Sequence, residues 1–83
     1  MEYYLSGSAL KDIGSLPVYV RKRIIKKLDY FVLATNPLNF AEPIYDRSLG
    51  SYRFRIGDYR IIFDIDNHKI IILAIGHRKD IYR

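Results

Sequence analysis

Three arginines, Arg53, Arg55 and Arg60, lie on either side of the pair Gly57-Asp58. A guanidinium stays charged at any physiological pH and offers a planar fork of donors that matches phosphate oxygens. Residues 51–64, SYRFRIGDYRIIFD, alternate apolar and charged positions around that pair. A Gly-X pair between two alternating runs predicts a hairpin, because glycine takes the positive φ of a primed turn. The register then pairs Ile56 with Tyr59, Arg55 with Arg60, Phe54 with Ile61 and Arg53 with Ile62. Tyr52, Phe54, Ile56, Tyr59, Ile61 and Phe63 share a core face, and the three arginines share the other. Like charges directly opposite each other destabilise an antiparallel pair by a few tenths to about 1 kcal/mol. A cluster that carries this penalty suits an anion such as phosphate. The plain alternative is three solvated arginines on an edge hairpin.

The rest of the chain has to position that hairpin. Tyr3, Tyr4 and Leu5 predict a short first strand. Ser8 is a candidate N-cap for a short helix over residues 9–15, with Leu10 and Ile13 on one face. Pro17 suits the first turn of a second helix ending near Leu33. There Val20, Ile24, Leu28 and Phe31 recur at spacings of four and three, flanked by Ile25 and Val32, which marks an amphipathic helix. Its outer face holds Arg21, Lys22, Arg23, Lys26 and Lys27, a basic surface that is either solvated or set against backbone phosphates. Residues 35–50, with Pro37, Pro43 and Gly50, read as a long loop of the kind that serves binding. After a turn at Asp66-Asn67-His68, residues 69–76, KIIILAIG, form an apolar strand with apolar residues on both parities. The sum is an α+β fold: two N-terminal helices on one face of a mainly antiparallel four-stranded sheet. One domain over residues 1–83 is expected at this length.

Composition limits the chemistry. There is no cysteine, and two histidines are too few for a zinc site, so neither a metal nor another cofactor is expected. No apolar run approaches the about 20 residues of a membrane span, and no signal-peptide layout opens the chain, so a cytoplasmic protein without membrane contact is expected. The net charge of +5 favours a polyanionic or acidic partner. By parity the open sheet face carries the arginines together with Ile62, Ile71, Leu73 and Ile75. An apolar floor beside a cationic cluster is a docking surface.

YRFRIGDYRIIFDI, followed by IIILAIGHRKDIY, resembles the RelE/ParE toxin superfamily of toxin–antitoxin systems, and the upstream layout matches as well. The likeness runs over essentially the whole chain. For the RelE branch it implies a metal-free, ribosome-dependent endoribonuclease that cleaves mRNA in the A site. The ribose 2′-OH attacks the adjacent phosphate and leaves a 2′,3′-cyclic phosphate and a 5′-OH. Carried over residue by residue, the catalytic positions are Arg53, Arg55, Arg60, Arg78 and Tyr82. Arg60 with Arg55 opposite would stabilise the charge developing on the phosphate. Arg53 would position the phosphate, Tyr82 would stack on a base or orient the 2′-OH, and Arg78 would contact the leaving side. Lys22, Lys26, Arg47 and Lys79 are further candidate phosphate contacts.

Two features depart from the RelE pattern. The hairpin carries arginine where RelE-like proteins carry lysine, and arginine is a poor general base. His77 is then the candidate acid–base residue, since parity puts it on the Arg60 face and points Arg78 away unless the strand bulges. Tyr82 also lies one residue from the end of the sequence and is expected to order only with a substrate or partner.

The alternative within the superfamily is a ParE-like toxin that inhibits DNA gyrase or another protein without catalysis. A general RNA-binding module fits less well, because the hairpin aromatics face the core. Either toxin implies a small acidic antitoxin laid over Ile62, Ile71, Leu73 and the arginines. The toxin would be monomeric alone and hetero-oligomeric with that antitoxin, with the ribosome-bound mRNA as the other partner.

Overall fold

The structure, a computed structural model, describes residues 1–82. Strand β1 (Glu2–Leu5) leads into helices α1 (Gly7–Gly14) and α2 (Val18–Leu33). A 3-10 turn (Pro37–Phe40) precedes β2 (Ala41–Pro43), and β3 (Tyr52–Ile56), β4 (Tyr59–Asp66) and β5 (Lys69–His77) follow. The strands form one sheet in the order β1-β5-β4-β3-β2, with β1 parallel to β5 and the other pairs antiparallel. The fold is α+β as expected, with one strand more than the four expected. The addition is β2, three residues taken from the stretch read as loop, which pairs Ala41, Glu42 and Pro43 with Phe54, Arg53 and Tyr52. Pro43, which has no N–H to donate, sits in this edge strand, where a missing donor is tolerated.

The helices pack on one sheet face. Ala9 and Ile13 of α1 and Val20, Ile24, Leu28 and Phe31 of α2 meet Phe54, Ile56, Ile61, Phe63, Ile70, Ile72 and Ile75 in a single buried cluster. Phe54 anchors it, with ring centroids 4.7 Å from Phe31 and 4.4 Å from Phe63. Truncating a ring buried this way costs about 3–5 kcal/mol. The carbonyl of Pro17 accepts from the N–H groups of Val20 and Arg21 and so opens α2. The N-cap of α1 is Ser6 and not Ser8. The Ser6 hydroxyl accepts from the Ala9 N–H at 3.1 Å, and its own N–H donates to the Ile72 carbonyl of β5. Docking on β5 fixes where the helix begins.

The β3–β4 hairpin has the expected register, from Tyr52 opposite Phe63 to Ile56 opposite Tyr59, around Gly57 at φ +59°. The β4–β5 turn runs through Asn67 and His68, both at positive φ. Pairing of β4 with β5 then breaks step: Ile62 faces Ala74 whereas Phe63 faces Ile72, leaving Leu73 as the extra residue of a bulge. One extra residue exchanges the two faces for everything beyond it. Ile75, expected on the open face, therefore lies in the core opposite Ile61, 3% exposed.

The loop between β2 and β3 closes over part of the open face. The Ile44 N–H donates to the Ser51 carbonyl, and the Ser51 N–H donates to the Asp64 carboxylate at 2.7 Å. Gly50, at φ +151°, lies so close to Ile62 and Leu73 that an added Cβ would come within 2.7 Å of the Ile62 side chain. Ile62 is completely buried beneath it.

Candidate active site on the arginine face

The hairpin places Arg55 directly opposite Arg60, with Arg53 two residues back on the same side of β3. The repulsion this implies is relieved by groups that the hairpin alone does not contain. Glu42, the cross-strand partner of Arg53 on β2, accepts from Arg55 Nε at 2.7 Å through Oε1. Its Oε2 lies 3.7 Å from Arg53 Nη2. Arg53 Nη1 also donates to the Tyr82 hydroxyl at 3.0 Å, with the guanidinium 5.7 Å from the centre of the Tyr82 ring. Arg53 Nε is buried without an acceptor. Arg60 is turned inward along its own hairpin. It is 9% exposed, and its Nη1 donates to the carbonyls of Gly57 and Tyr59 at 2.9 and 3.0 Å.

The tail reaches this face because β5 ends in a tight turn. The His77 carbonyl accepts from the N–H groups of Asp80 and Ile81, and the Arg78 N–H donates to the Asp58 carbonyl at 2.7 Å. Arg78 Nε lies 3.5 Å from the Asp58 carboxylate at the hairpin tip. Gly76, opposite Arg60, leaves room for Ile81, whose Cδ1 would stand 3.0 Å from an added Cβ. Tyr82 follows and lands on Arg53.

Five of the six expected catalytic residues thus gather along one end of the sheet: Arg53, Arg55, Arg60, Arg78 and Tyr82. His77 does not join them. The bulge puts it opposite Tyr59, on the side away from the Arg60 guanidinium, with the two rings 5.6 Å apart edge to face. Its Nδ1 accepts from the Lys79 N–H at 3.1 Å, so the ring braces the tail turn. The same change of parity frees Arg78 from the direction that simple alternation assigned to it.

The outlying phosphate contacts are dispersed. Lys22 and Lys26 lie on the outer face of α2, on the opposite side of the sheet from the arginines, where both line a shallow groove of about 380 Å³ and Lys26 also lines a second of about 320 Å³. Arg47 is exposed in the loop before β3, and Lys79 is exposed in the tail turn. Ile71 and Leu73 are half-buried on the open face, whereas Ile62 is sealed under Gly50 and offers a partner nothing. Arg23 of α2, expected only as part of the helix's basic outer face, instead reaches the hairpin tip. Its guanidinium presses on Gly57 so closely that an added Cβ there would come within 2.6 Å of it. Glu42 was missed, since a three-residue strand is too short for alternation to register.

A family model described as the ParE toxin of the type II toxin–antitoxin system parDE matches residues 3–82. The chain belongs to the RelE/ParE toxin superfamily. It is a toxin of a type II toxin–antitoxin system. Toxin RelG of Mycobacterium tuberculosis is 30% identical over 78 residues, 92% of this toxin and 88% of that protein. Toxin RelE3 of Methanocaldococcus jannaschii is 32% identical over 85 residues, 99% and 96% of the two chains. Among solved structures, the toxin–antitoxin complex RelBE2 of Mycobacterium tuberculosis superposes with a TM-score of 0.75. It shares 24% identity and covers 93% of this toxin and 96% of that chain. The RelB–RelE complex of Methanococcus jannaschii gives 0.72 at 28% identity, covering 94% and 93%. Both superpositions support the α+β fold described above. No helix among the described residues is long and apolar enough to cross a membrane.

Proposed function

We propose that this toxin is a metal-independent endoribonuclease that cleaves mRNA held in the ribosomal A site. The observation that supports this most is the gathering of Arg53, Arg55 and Tyr82 around the carboxylate of Glu42 on an open sheet face, with Arg78 at the adjoining hairpin tip. In-line attack of a ribose 2′-OH forms a bond from O2′ to phosphorus and breaks the bond from phosphorus to O5′. Arg55, more than half exposed, and Arg53 are placed to hold the equatorial oxygens as negative charge builds there. A guanidinium cannot take the 2′ proton, which passes to water as O2′ bonds to phosphorus. Arg78 stabilises the departing 5′ oxygen, which gains its proton from water. Tyr82, 43% exposed and already stacked near a guanidinium, supplies a ring for an unpaired base. Arg60 holds the hairpin tip in shape, so that Arg55 stands where the phosphate arrives.

The antitoxin of this system would be a small acidic chain lying over Ile71, Leu73 and the arginines, and the solved relatives' toxin–antitoxin complexes support such a partner. Inhibition of gyrase or another protein without catalysis is the second function to weigh, because the matching family model is the ParE toxin.

Primer extension on mRNA in programmed ribosomes, comparing wild type with Arg55→Ala, tests the nuclease. Cuts at A-site codons that vanish in the variant are the expected result. A growth-inhibiting wild type that makes no cuts refutes it, and a gyrase supercoiling assay then decides for the second target.

A further inference from the structure

Glu42 does something at this face that the cleavage chemistry does not require. Its two carboxylate oxygens are divided between two guanidinium groups, one on Arg55 Nε and one toward Arg53 Nη2. Two non-bridging oxygens of a phosphodiester would span the same pair of arginines in the same way. The carboxylate is carried on a three-residue edge strand and is 45% exposed, so it can swing into water without opening the core. A half-exposed ion pair of this kind is screened by solvent and holds weakly.

We propose that Glu42 is an intramolecular competitor for the substrate phosphate, so that Arg53 and Arg55 are occupied by the protein's own anion until a polyanion displaces it. This rests on the assignment of the arginine face as the phosphate site. The consequence is selectivity. An isolated phosphate or mononucleotide gains only the two arginines and has to displace the carboxylate to reach them. A nucleic-acid strand adds contacts at Arg78 and Tyr82 and can bear that loss. The pairing also explains how two arginines two residues apart share a strand face: each is discharged on Glu42 rather than on the other.

Competition and positioning make opposite predictions. If Glu42 competes, Glu42→Gln removes a unit charge close to the bound phosphate and tightens binding about five-fold at moderate salt. If Glu42 only orients the arginines, the same change weakens binding. The test is calorimetric titration of wild type, Glu42→Gln, Arg55→Ala and the double variant with inorganic pyrophosphate and with a short 2′-O-methyl RNA, which cannot undergo attack. The expected result is tighter binding of both probes by Glu42→Gln, with the gain clearly reduced in the Arg55→Ala background. The fold gain should be similar for the two probes, since each displaces the same carboxylate. Unchanged or weaker binding of both probes by a folded Glu42→Gln overturns the proposal, as does a gain that Arg55→Ala leaves undiminished. Tighter pyrophosphate binding with no RNA binding by any variant upholds the competitor and refutes the nuclease instead.

Discussion

Arg60 is the residue whose substitution separates architecture from chemistry. Placed opposite Arg55, it looks like a pure phosphate ligand, and Arg60→Ala would then leave folding untouched. Yet its guanidinium is 9% exposed and donates to the carbonyls of Gly57 and Tyr59. Hydrogen bonds from a charged donor contribute about 1.5–3 kcal/mol each. Gly57 is exposed, so water recovers part of that loss, and Arg60→Ala should cost about 2–3 kcal/mol in total. In a domain of this size, 1 kcal/mol shifts Tm by about 4–8 °C, so a fall of roughly 10–20 °C is expected. Arg60→Lys keeps the charge and can reach one carbonyl, so it should lose about 1 kcal/mol. Thermal unfolding by circular dichroism, run beside primer extension on programmed ribosomes, reads both roles. Because the arginine shapes the tip on which Arg55 stands, the folded Lys variant should cleave at least ten-fold more slowly, about 1.4 kcal/mol. An Arg60→Ala protein melting within about 2 °C of wild type would refute the anchoring role. A Lys variant that cleaves at the wild-type rate would show that the fork at the tip has no bearing on the site.

The remaining predictions concern the scaffold. The Tyr3 phenol, partly buried and donating to Asp29 at 3.0 Å, is pushed up to about 12, chiefly by burial and then by Asp29. Its stabilising contribution is complete below the usual value of 10.0 and is lost as pH rises through 12; ultraviolet titration should show a late phenol that Tyr3→Phe removes, and an unchanged profile would rule this out. Ile75→Ala should destabilise by about 2–4 kcal/mol and Leu73→Ala by less than half as much, measured by urea unfolding. The reverse order would mean that β5 has no bulge. Asp12→Ala should cost about 2 kcal/mol by leaving the Ile75 N–H without its acceptor, while Asp12→Asn retains most of the stability; equal losses in the two would remove the hydrogen bond from the account.

The parts of the fold legible in the sequence are those whose signals are local. The β3–β4 register follows from a Gly-Asp pair with alternation on both sides, and α2 follows from Val20, Ile24, Leu28 and Phe31 at helical spacing. Ser6 and Ser8 flank the same glycine and cap equally well in isolation. Ser6 is selected by its backbone bond to Ile72, a residue far away in the chain. Strand β2 was hidden for a similar reason, since Ala41, Glu42 and Pro43 become a strand only by pairing with β3. With β2 hidden, Glu42 was hidden too, and the site read as arginine without a carboxylate.

The bulge at Leu73 was the costliest omission, because residues 70–75 are apolar throughout and every register satisfies such a run equally well. What selects the bulged register comes from α1. The Ser6 hydroxyl donates to the Leu73 carbonyl at 3.3 Å, and the Asp12 carboxylate accepts from the Ile75 N–H at 3.0 Å. One short helix and its cap thus satisfy the carbonyl of the extra residue and the N–H two residues further on, where an irregular ladder would otherwise leave them unpaired. The consequence reaches the site. With the bulge, Ile75 fills the core, His77 braces the tail turn against Tyr59, and Gly76 opens space for Ile81 opposite Arg60. Without it, His77 would stand among the arginines, Ile75 would lie exposed, and the chain would leave the sheet on the side away from Arg53. The position of Tyr82 on the arginine face therefore depends on two polar side chains of α1, neither of which touches that face.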